Sequence, residues 1–103
     1  LLSQVQIPQW IQGMTFWRDA NTDSVTMYLS QGYQTLDGAL LCFDYKDETV
    51  NYDNPREAYV VPEGIEQIQA TAHGMYLLFE SAAWPYRPTA RIVNDQIYLI
   101  RIP

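Results

Sequence analysis

Cation-binding and redox chemistry have little to work with in this chain. Among 103 residues there is one cysteine, Cys42, and one histidine, His73. A lone cysteine forms no internal disulfide, and inside an apolar run it packs as a small hydrophobe. His73 stands in a polar turn with no second histidine, so a structural zinc site is not expected. Cations are few: six Lys and Arg against twelve Asp and Glu, a net charge of -6. That balance excludes a phosphate backbone and an anionic membrane surface as partners. Long hydrophobic runs are missing too, so membrane insertion is not expected. There is no glycine-rich phosphate loop and no Gly-x-Ser-x-Gly elbow, and Ser30 and Ser81 have no general base nearby in sequence. No cofactor is expected.

Hydrophobic residues are plentiful, at 48%, with eight tyrosines among the aromatics. A buried core is within reach of one small domain, and tyrosine suits the half-buried faces of strands. Sustained helical spacing is absent. Short apolar or alternating runs, separated by Gly, Pro, Asn and Asp, predict strands. Eight are expected: Leu2–Ile7, Ile11–Phe16, Ser24–Ser30, Ala39–Tyr45, Glu57–Val61, Ile65–Thr71, Met75–Ser81 and Gln96–Ile102. Asp19–Asp23, Asp37-Gly38 and Ala72-His73-Gly74 read as turns, with Gly74 free to take positive φ. Lys46–Arg56 reads as a long polar loop. Its Asp47–Asn54 stretch is rich in oxygen ligands but lacks the spacing of a calcium loop.

Three apolar blocks recur in the same order. Val5–Gln12 reads against Tyr59–Glu66, with Pro8 and Pro62 an offset of 54 apart. Thr26–Gln31 reads against Tyr76–Ser81 at an offset of 50, and Leu40–Tyr45 against Ile97–Ile102 at 57. A period of about 50 residues marks stacked β-blades. The expected fold is all-β: two four-stranded antiparallel β-propeller blades over residues 11–61 and 65–102. Strands lettered from the inside out run D-A-B-C-D-A-B-C. Residues 2–7 then complete an adjacent blade. The first residues, Leu1-Leu2-Ser3, read as the start of a processed piece or of the ordered part of something longer. Two blades close no ring, so the expected partner is either further copies of the chain, most simply three giving six blades, or the remainder of a parent protein.

Met75–Ala83 followed by Tyr86-Arg87 and Ile97-Tyr98-Leu99 resembles the last blade of secreted bacterial β-propeller proteins. Tyr28-Leu29-Ser30 with Leu40–Tyr45 resembles the blade before it. The resemblance implies a secreted or cell-surface bacterial setting. Related propellers with Glu-Gly-Ile at the start of the inner strand include lactonase- and phosphoesterase-like enzymes. The corresponding residues here are Gln12-Gly13-Met14 and Glu66-Gln67-Ile68, so no catalytic residue carries over.

By analogy with that fold, ligands bind where the D-to-A and B-to-C connections meet. That face gathers Gln12 and Glu66 at one repeat position, Glu80 at the end of an apolar strand, and the loop bearing Trp84, Tyr86 and Arg87. Indole, phenol and guanidinium groups dominate recognition hot spots. In that loop they form either a rigid lip over a channel mouth or a cover for a neighbouring blade. Glu66 and Glu80 make either an acid/base or metal-ligand pair, or a solvated carboxylate and one paired with Arg87. Two functions follow: a module that binds a small molecule or a protein, and part of a lactonase- or phosphoesterase-like hydrolase.

Overall fold

The computed structural model describes residues 7–32, 37–47, 49–79 and 97–101. Among them the chain is all strand and turn. Four strands form one antiparallel sheet in sequential order: β1 (Ile11–Arg18), β2 (Val25–Gln31), β3 (Gly38–Tyr45) and β4 (Glu57–Val61). Three more form a second: β5 (Ile65–Thr71), β6 (Gly74–Phe79) and β7 (Tyr98–Ile100). Seven of the eight expected strands are thus present. The remaining expectation, at residues 2–7, falls outside the described residues apart from Ile7. No described helix is long and apolar enough to cross a membrane.

Local chemistry sets the strand ends. β1 runs two residues past its expected end because Trp17 and Arg18 still pair with Thr26 and Val25. The turn beyond is closed by Asp19, whose Oδ1 accepts from the Asn21 amide at 2.8 Å and whose N–H donates to Ser24 O at 2.8 Å. Asp23 takes the left-handed conformation there (φ 61°) and pairs with Arg18. The second hairpin is tighter. Thr71 pairs directly with Gly74, whose φ of 137° only glycine adopts readily.

Register corrects the repeat. Met14 pairs with Leu29 in the first sheet, and Ile68 with Leu77 in the second. With β1 and β5 related by 54, β2 and β6 are therefore related by 77 − 29 = 48, not 50. Met27-Tyr28-Leu29 now stands against Met75-Tyr76-Leu77, an identical tripeptide. A slip of two preserves strand alternation, so every side chain keeps its face and the apolar pattern alone cannot detect the error. The third strands keep their offset of 57, since Tyr28 pairs with Cys42 and Tyr76 with Leu99.

The two sheets pack face to face. Tyr28, Leu40, Cys42 and Val61 of the first meet Ile65, Ile68, Met75, Leu77 and Phe79 of the second in one buried cluster. β1 lies beside β5. There the glycine at Gly13 permits close approach: a Cβ on it would lie 2.7 Å from Glu66 O and 3.0 Å from Gln67 Cα. The Ala70 amide donates to Thr15 Oγ1 at 3.1 Å across the same seam. On the outward face of the first sheet, Met27, Leu29 and Phe43 form a smaller cluster under Val50 and Tyr52 of the long loop.

Candidate functional site

The end of the molecule expected to bind ligands is built from a repeated turn and a repeated bulge. Pro8-Gln9-Trp10-Ile11 and Pro62-Glu63-Gly64-Ile65 occupy equivalent positions, and the third residue of each is left-handed: Trp10 at φ 62° and Gly64 at φ 82°. The strand that follows carries an irregularity at its second residue. Pairing skips from Ile11 to Gly13 in β1 and from Ile65 to Gln67 in β5. Gln12 and Glu66 are the skipped residues. A bulge bends its strand and re-aims the extra side chain. The sequence equivalence of Gln12 and Glu66 is therefore also a structural one.

Hydrogen bonds hold this end in place. Gln12 Nε2 donates to Gly32 O at 3.2 Å, and Gln31 Nε2 donates to Gln9 O at 3.0 Å. The Gly32 amide donates to Trp10 O at 3.0 Å. Ser30, fully buried, donates from Oγ to Glu66 O at 2.8 Å and lies 3.4 Å from Gly13 O. It joins the two bulges and has no exposure from which to act as a nucleophile. Glu66 is half-buried and Gln12 exposed. Trp10 presents 54% of its surface to solvent. Glu80, Trp84, Tyr86 and Arg87 lie outside the described residues.

Sequence reasoning missed two residues here. Trp10 is the large aromatic at this rim, and its alignment with Gly64 marked a position that demands positive φ. Glu63 is the other: only 2% exposed, it buries an acidic side chain at the turn. Its repeat partner Gln9 is exposed. That pairing of planar polar side chains was visible, but burial was not.

The opposite end carries a cleft of about 610 Å³, lined by Trp17, Tyr28, Thr71, His73, Tyr76 and Arg101 among others. Burial there pushes the Tyr28 hydroxyl above its ordinary pKa. Among the described residues no three His, Cys, Asp or Glu side chains gather as a metal-binding set. At the start of the long loop, Lys46 and Thr49 exchange backbone hydrogen bonds at 2.9 and 3.2 Å.

Compared with protein-family models, curated proteins and solved structures, the chain matches none.

Proposed function

We propose that the chain is a pair of β-propeller blades whose turn-bearing rim binds a small molecule or a protein segment. One observation carries this reading: two meander sheets lie with their first strands side by side, and each delivers a bulged polar residue, Gln12 or Glu66, after the same left-handed turn. Strand order β1 to β4 fits A to D of one blade, and β5 to β7 fits A to C of the next. Among the described residues β7 has no further neighbour. By sequence order, the candidates for that place are residues 2–7 of another copy or an N-terminal strand of a longer parent protein. The rim chemistry is an amide, a carboxylate and an exposed indole, a combination that orients a polar ligand against an apolar face. A secreted or surface setting belongs to the same reading.

The test is a thermal-shift screen with neutral sugars, primary amines and short peptides, repeated on Gln12→Ala and Glu66→Ala. Binding at the rim raises the melting temperature of the parent chain and is lost in both variants. Hits that survive both but disappear in His73→Ala move the site to the opposite cleft. The competing reading is a hydrolase. Metal-dependent turnover of a lactone or a phosphate diester, abolished by Glu66→Gln, would replace binding as the function.

A further inference from the structure

The two sheets are related by the repeat, yet several positions buried between them have exposed equivalents on the outward faces. The face of the first sheet that meets the second carries Tyr28 and Cys42, which are 8% and 1% exposed. Their equivalents on the second sheet are Tyr76 and Leu99, on its outward face, 38% and 47% exposed. The face of the second sheet that meets the first carries Ile68, 1% exposed. Its equivalent is Met14, on the outward face of the first sheet, 48% exposed, with Phe16 two residues on at 42%. Each sheet is built with two complementary faces, and the molecule joins only one of each.

We infer that a second copy of this chain docks head-to-tail, with the β1 half of its first sheet, around Met14 and Phe16, seated on Tyr76, Leu78 and Leu99 of the second sheet of its neighbour. The occupant follows from the packing inside the chain: the same repeat faces already interlock there, so the joint between copies continues an interface that exists. None of these five side chains is charged, in a chain of net charge -6. The Val50–Tyr52 segment covers the other half of the first outward face, with Tyr52 edge-on to Phe43 at 5.2 Å. The half left open borders β1, and β1 is also where the internal joint is tightest. A cleft of about 490 Å³ runs along it, lined by Ile7, Ile11, Met14, Phe16 and Tyr45 among others. Exposed apolar area of this kind marks an association surface. Because the two surfaces differ, the contact is heterologous and repeats from copy to copy.

Light scattering on the whole chain and two single variants tests it. The parent chain is expected to be larger than one copy at micromolar concentration. Met14→Glu and Tyr76→Glu each block one of the two surfaces and are each expected to be monomeric. Mixed in equal amounts they form a one-to-one dimer and nothing larger, because each retains the surface its partner lacks. A monomeric parent chain overturns the inference. So does self-association of either variant, or failure of the mixture to pair. Circular dichroism confirms that the variants fold; if either does not, Phe16→Arg and Leu78→Arg replace them in the same design. The pairing stands without the propeller reading: an assembly that keeps growing with concentration preserves the joint and removes only the closed ring.

Discussion

Ser30 and Gly13 show how single residues govern the joint between the sheets. Gly13→Ala sets a methyl group against the backbone of Glu66 and Gln67, which cannot step aside as a flexible side chain would. The expected cost is about 1–3 kcal/mol, the usual range for an overpacked interior. Ser30→Ala removes the hydroxyl that donates to Glu66 O and is expected to cost about 1 kcal/mol. Urea midpoints read both, and a Gly13→Ala midpoint equal to that of the parent would refute the close approach. Cys42 gives a pH signature. Burial pushes its thiol from 9.0 to about 11, with the Glu57 carboxylate adding in the same direction and Arg56 opposing. The folded state keeps the thiol neutral, while the unfolded chain ionises from about pH 9 upward. Stability from this group is therefore intact below that pH and falls as pH rises toward 11, by roughly 2–3 kcal/mol in all. Denaturant midpoints across that window are expected to decline in the parent chain and to stay flatter in Cys42→Ala, with Tyr28 adding a smaller alkaline slope of the same sign.

Elements obey the repeat unevenly, and the turns show where. Gly64 and Trp10 hold the same left-handed position, but only glycine does so without a penalty of about 1–2 kcal/mol. Gly64→Ala is expected to lower the melting temperature by that amount of stability. Trp10→Gly relieves the strain but frees the unfolded chain, so its net change is expected near zero. Equal losses from the two substitutions would show that the turns are not equivalent. Strand positions were legible because alternation and Gly, Pro and Asp punctuation report directly on a half-buried sheet. The bulges at Gln12 and Glu66 were not, because a bulge is an event in pairing and leaves no mark on one strand alone. The offset of 50 was misread for a related reason. Asp19–Ser24 is longer than Ala72-His73, and a two-residue slip between hairpins costs the apolar pattern nothing. At the rim, the shared position of Gln12 and Glu66 was readable, while the burial of Glu63 depends on what folds over it.

For the whole molecule, the larger of the two buried clusters belongs to neither sheet alone. Tyr28, Leu40 and Cys42 are buried by Ile68, Met75 and Leu77, so parting the sheets would return apolar side chains of both to water. The two sheets are therefore expected to unfold as one unit. Leu77→Ala tests this, since Leu77 is 3% exposed and sits on β6 against the other sheet. It is expected to cost about 2–5 kcal/mol. Hydrogen exchange locates the loss. Amides of β2 in the first sheet are expected to lose as much protection as those of β6, although Leu77→Ala itself alters no residue of the first sheet. The experiment belongs in the Met14→Glu background, where association between copies no longer adds stability that varies with concentration. Loss confined to β5, β6 and β7 would mean that the first sheet folds without the second, and that its inward face of Tyr28, Leu40 and Cys42 holds together without help.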